Sequence, residues 1–117
     1  MTPRIEVRDN PAELRYEAWL DERLAGFSEY EPHDGWLVFH HTEVGPEYEG
    51  KGVGSRLAQG ALDDVRARGL KVTPTCPFIS AWIRRHAAYQ DMVVGVRGTA
   101  ARPGTDPRDP SGGREPR

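Results

Sequence analysis

Between Glu43 and Arg56 the chain reads EVGPEYEGKGVGSR, and this stretch limits the fold more than any other. A strand-like run, Trp36 to Val44, leads into it, and a run with helical spacing, Val53 to Arg68, leads out. Between them stand Gly50, Gly52 and Gly54, at alternate positions around Lys51. Glycines so spaced let the backbone turn sharply and approach a ligand closely. The helix that follows offers N–H groups without intrahelical partners, together with the positive end of its dipole. Strand, glycine turn and helix in that order predict an anion site, most naturally one for phosphate.

The flanking segments say what carries this turn. Ile5 to Arg8, Leu14 to Leu20, Leu24 to Tyr30 and Trp36 to Val44 alternate apolar with polar residues. Asn10-Pro11, Asp21-Glu22 and the stretch from Pro32 to Gly35 separate them. Four such runs with short turns predict an antiparallel meander. The period then changes: Val53, Leu57, Ala58, Ala61, Leu62 and Val65 recur at helical spacing, and Gly69 stands where a C-cap glycine belongs. Leu70 to Thr73 is a short fifth strand, and a right-handed crossover makes it the parallel neighbour of the fourth. Pro77 suits a first helical position, which predicts a second helix over Phe78 to His86 with Cys76 at or beside its N-cap. Phe78, Ile79, Trp82 and Ile83 are its expected buried face. Tyr89 to Val96 reads as a terminal turn packed back onto the sheet. The expectation is an α/β (α+β) domain over residues 1–97, with a twisted, mainly antiparallel sheet of about five strands and two helices. Residues 98–117 are rich in glycine, proline and arginine, with no apolar side chain larger than alanine. Such a segment cannot bury enough surface to offset its ordering entropy, so a disordered tail is expected there.

Composition removes several function classes. A chain of 117 residues holds one domain, and its net charge of −2, with both signs mixed, gives no basic footprint for nucleic acid. No run approaches the length of a membrane span, and the first residues lack the apolar core of a secretion signal. The lone cysteine, Cys76, excludes an internal disulfide and any cysteine-rich zinc site. These features predict a cytoplasmic protein without membrane, nucleic-acid or metal partners. The glycine loop itself begins like a nucleotide-hydrolase loop, with Gly45 to Lys51 spelling G-x-x-x-x-G-K. Gly52 follows where that loop needs a Ser or Thr hydroxyl for magnesium, which argues against a hydrolase.

The window Glu49-Gly50-Lys51-Gly52-Val53-Gly54 resembles the pyrophosphate loop of the GNAT superfamily of N-acetyltransferases, Gln/Arg-x-x-Gly-x-Gly/Ala. It departs at the first position, where Glu49 replaces a cation or amide. The blocks HTEV (from His41), YEGKGVGSRL (from Tyr48), ARGLKV (from Ala67) and CPFISAWIRRHAAY (from Cys76) are similar to the small GNAT-like acetyltransferases sometimes called the YjdJ type. This is a minimal GNAT fold without the helices that larger members insert among the early strands.

The resemblance implies acetyl transfer from acetyl-coenzyme A to an amine, the acceptor being a small molecule or a protein. It places the coenzyme where the fourth and fifth strands splay, with the pantetheine arm along Thr42, Glu43 and Val44. The pyrophosphate would rest on Gly50, Lys51, Gly52, Val53, Gly54 and Ser55, with Arg85 and His86 approaching the phosphates. Cys76 falls beside the expected thioester, where many larger members have asparagine, and a helix N-terminus favours thiolate. It is therefore a candidate acetyl acceptor. His41, expected to share a face with Leu37, Phe39 and Glu43, is the candidate base. The tyrosine that serves larger members as general acid has no counterpart among Ile83, Arg84 and Arg85. That gap leaves room for a different function, a non-catalytic module that binds or senses coenzyme A.

Overall fold

The computed structural model describes residues 4–95, so Val96, Arg97 and the expected tail 98–117 lie outside the described residues. Strands β1 (Ile5–Asn10), β2 (Arg15–Leu20), β3 (Arg23–His33) and β4 (Trp36–Val44) form the antiparallel meander. A 3-10 turn (Pro46–Tyr48) leads through the glycine loop into helix α1 (Val53–Ala67). Strand β5 (Lys71–Pro74) then pairs with β4 in parallel, from Trp36↔Lys71 to Phe39↔Pro74. Helix α2 (Pro77–Arg84) and a second 3-10 turn (Ala87–Met92) are the last helical elements among the described residues. The expected architecture is the observed one: a five-stranded mixed sheet with two α-helices.

Both helices pack into one core. Tyr16 and Ala18 of β2 and Leu37 and Phe39 of β4 meet Leu57, Ala58, Ala61, Leu62 and Val65 of α1, all buried, as the helical spacing requires. Gly60 lets α1 lie close on β1, since a Cβ there would stand 2.7 Å from Val7 Cβ. Polar ties pin the same helix. The Tyr16 hydroxyl donates to Asp64, the Tyr30 hydroxyl donates to Asp9, and Arg68 pairs with both carboxylates at 3.0 and 2.9 Å. The segment that reads ambiguously after α2 does return to the sheet. Val93 bridges Val72, Val94 N–H donates to Val72 O at 2.9 Å, and Met92 is buried beneath.

Two expectations change, each for a geometric reason. Strand β3 runs on to His33, through Pro32, and shortens the expected turn to Asp34-Gly35, where Gly35 takes φ +96°. More important, β4 is not regular. Tyr30 faces Phe39 but Glu29 faces His41, so His40 is an extra residue, a β-bulge. The bulge shifts the alternation by one. Thr42 and Val44, opposite Ser28 and Gly26, now share the helix-covered face with Leu37 and Phe39. His41 and Glu43 turn to the other face.

Candidate active site

Past Phe39↔Pro74 the two parallel strands separate. Phe39 O accepts from both Thr75 N–H (2.9 Å) and Cys76 N–H (3.0 Å), a fork that ends the pairing and turns the chain into α2. Strand β4 continues alone on that side to Val44. The gap between them widens into a cleft of about 620 Å³, in the usual range for a small-molecule site. Its walls are the end of β4 (Thr42, Val44), the glycine loop and first turn of α1, and one side of α2 (Phe78, Trp82) with Arg85 and His86.

The loop has the conformation its composition predicts. Gly50 and Gly52 have φ of +81° and +80°, where a side chain is strained, and no atom within 4 Å would meet a Cβ at either. Gly52 is the N-cap of α1, and Arg56 N–H is the first to close back onto its carbonyl. The N–H groups of Val53, Gly54 and Ser55 therefore have no intrahelical partner at the mouth of the cleft. Gly54 serves a different need: a Cβ there would stand 2.8 Å from the Phe78 ring. Removing it lets α2 seat Phe78 against the first turn of α1.

Of the residues expected to contact the coenzyme, Thr42, Val44, Gly50, Gly52, Val53, Gly54, Ser55, Arg85 and His86 line the cleft. Lys51 and Glu43 do not. Lys51 spends its backbone N–H on Tyr48 O, at 3.3 Å, and Glu43 alternates onto the opposite face of the sheet. There Glu43 Oε2 meets His41 Nε2 at 2.9 Å. The His41 ring lies 6.2 Å from that of Phe27, itself covered by the Arg15 guanidinium. The bulge at His40 thus turns His41, the candidate base, to the face of the sheet away from Cys76.

Cys76 is the N-cap of α2 but sits behind the cleft wall, 3% exposed. Its thiol donates to Thr42 Oγ1 at 3.2 Å, and the same oxygen lies 2.9 Å from Ser28 Oγ. Thr42 is thus the member of this trio that faces the cleft. Sequence reasoning missed four residues that line the cleft. Phe78 was expected in the core but is 37% exposed at the cleft. Tyr48 and Glu49 lie in the quoted loop without signalling a role, and Trp82 carries only the apolar spacing of a core residue. For Phe78 and Trp82 the i, i+4 spacing places both on one stripe of α2, and only the tertiary structure decides which end of it meets solvent.

An antiparallel sheet that splays against a parallel fifth strand, with a helix N-terminus at the mouth of the splay, is the architecture of an N-acetyltransferase. Residues 15–92 match the family described as GCN5-related N-acetyl-transferase, and the chain belongs to that family. Protein NATD1 from chicken and from mouse is 38% identical to it over 50 residues, 43% of this chain and 46% of theirs. The chain thus spans about half the length of the curated relatives it matches. The solution structure of a GCN5-like protein from Staphylococcus aureus superimposes with a TM-score of 0.59 at 26% identity. That match covers 78% of this chain and 89% of the other.

Proposed function

We propose that the protein transfers an acetyl group from acetyl-coenzyme A to an amine by direct attack. The observation that carries this reading is the continuity of one surface. The open glycines Gly50 and Gly52, the unpartnered N–H groups of the first turn of α1, and the unpaired end of β4 all border the same cleft. Diphosphate fits the first two, because backbone N–H groups and the helix dipole stabilise anions where no side chain blocks approach. Glu49, also on the wall, makes this loop less cationic than its relatives' consensus, so the amides carry more of the binding.

In this reading Gly50 to Ser55 hold the pyrophosphate, and the backbone of Thr42 to Val44 holds the pantetheine arm. Arg85 and His86 border the phosphate end. Acetyl-coenzyme A supplies the activated thioester. Backbone N–H groups near Val44 orient its carbonyl and stabilise the charge that develops on oxygen during attack. Passage of the acetyl group through Cys76 is the less supported route, because that thiol is buried and engaged with Thr42. Cys76 then acts on the site by holding the Thr42 side chain.

One observation favours a second reading, a non-catalytic coenzyme A-binding module. His41 points away from the cleft, and α2 offers no tyrosine to serve as acid. Release of free thiol from acetyl-coenzyme A over a broad panel of amines tests both. Amine-dependent release supports transfer. Thermal stabilisation by coenzyme A, worth about 2.7 kcal/mol at a hundredfold its Kd, with no release for any amine supports the binding module. The absence of both overturns the site.

A further inference from the structure

Trp82 joins two walls of the cleft, α2 and the first turn of α1, yet is itself 3% exposed. Its indole Nε1–H donates to Ser55 Oγ at 3.0 Å, across from α2 to the first turn of α1. Its ring stacks on that of His86 at 3.8 Å between centroids and 12° between planes. Its carbonyl lies 2.7 Å from His86 Nδ1. The Tyr89 ring meets the indole at its edge, 5.0 Å away, and holds it from behind.

These contacts set hydrogen-bond polarity. An indole N–H can only donate, so Ser55 Oγ must accept from Trp82, and its one hydroxyl proton is left for another partner. Ser55 is exposed and stands among the unpartnered N–H groups of the first turn. A carbonyl has no proton to offer, so His86 Nδ1 carries one, and Nε2 is the free edge of a ring fixed in plane by stacking. We propose that Trp82 is the positioning residue of the anion site, presenting the Ser55 hydroxyl as a donor to the phosphates of the coenzyme. This rests on coenzyme A being the ligand, as proposed above.

The test compares Trp82→Phe, Ser55→Ala, Ser55→Thr and the double variant Trp82→Phe/Ser55→Ala. A phenylalanine keeps an aromatic ring against His86 and removes the N–H together with part of the ring system. Losing an oriented donor to a phosphate is expected to weaken coenzyme A binding about tenfold. KM should rise with kcat held, since the contact is the same in ground and transition states. The double variant should match Ser55→Ala, because both changes cut the same link. Ser55→Thr retains the hydroxyl and should retain affinity. A phosphate-free acetyl donor, S-acetyl-N-acetylcysteamine, should react equally with all four variants and the unaltered protein.

Wild-type affinity in Ser55→Ala, an additive double variant, or equal losses on the phosphate-free donor each overturn the proposal. If Trp82→Phe does not fold, hydrogen exchange of the Trp82 indole N–H decides: coenzyme A should slow it in the unaltered protein and not in Ser55→Ala, and an equal response in both overturns the proposal. Should the unaltered protein show neither a thermal shift with coenzyme A nor release of its thiol from acetyl-coenzyme A, the functional reading fails instead, before any variant is compared.

Discussion

The Tyr16 hydroxyl donates to Asp64 Oδ2 across 2.6 Å, joining β2 to α1, the helix that follows the glycine loop. Burial, then this hydrogen bond, pushes the Tyr16 hydroxyl far above the usual tyrosine range. Burial and Asp9 do the same for Tyr30. Both protons stay bound in the folded chain at pH values where an unfolded tyrosine loses its own. Their contribution is therefore complete below about pH 10 and is lost as pH rises above it, by up to about 1.4 kcal/mol per pH unit for each tyrosine. Denaturant melts from pH 7 to 11 should show a stability plateau and then a fall. Tyr16→Phe should lower the plateau by about 1–3 kcal/mol and reduce the fall.

Two glycines of the same helix region should respond to alanine for opposite reasons. At Gly52 there is space but φ is +80°, so Gly52→Ala should cost about 1–2 kcal/mol of backbone strain. At Gly60, inside α1, alanine alone would add about 1 kcal/mol of helix propensity. The 2.7 Å approach to Val7 Cβ reverses that sign, since overpacking costs about 1–3 kcal/mol. Gly60→Ala should leave coenzyme affinity intact while lowering the unfolding midpoint. A rise in midpoint would show that β1 yields freely.

Cys76→Ala should leave acetyl transfer within about tenfold of the unaltered protein, because the change removes one support of Thr42 and no reacting group. Intact-mass spectrometry after incubation with acetyl-coenzyme A should show no adduct at Cys76. An adduct that forms and decays on adding amine would move the route through the thiol.

His41→Ala should change coenzyme affinity less than about twofold and stability by less than about 0.5 kcal/mol, as befits an exposed pair with Glu43. Isothermal titration with coenzyme A measures the first and a thermal melt the second. A large loss of affinity would mean that the two faces of β4 communicate.

Much of the fold is legible along the chain, because its elements differ in period. Alternation marks Tyr16 and Ala18 as inward, helical spacing marks Leu57 through Val65, and both are found buried. The glycine loop is legible for a related reason: Gly50 and Gly52 adopt backbone angles that few other residues tolerate, so their spacing is local evidence of a turn. His41 was misplaced because strict alternation assumes an unbroken strand. The extra residue at His40 is set by its pairing with β3, and nothing in HHTEV announces it.

By itself, then, the sequence determined the order and kind of elements, the glycine turn and the family, all of which follow from local conformational preference and short-range pattern. Only the tertiary structure decided the opposing wall of the cleft. Phe78 and Trp82 reach Gly54 and Ser55 because the fork at Phe39 O releases α2 from β5 and lays it against α1. The same fork and the bulge put Thr42 in front of Cys76 and turn His41 away. Those contacts join residues tens of positions apart, and their geometry depends on the packing of the whole core, which no local pattern encodes.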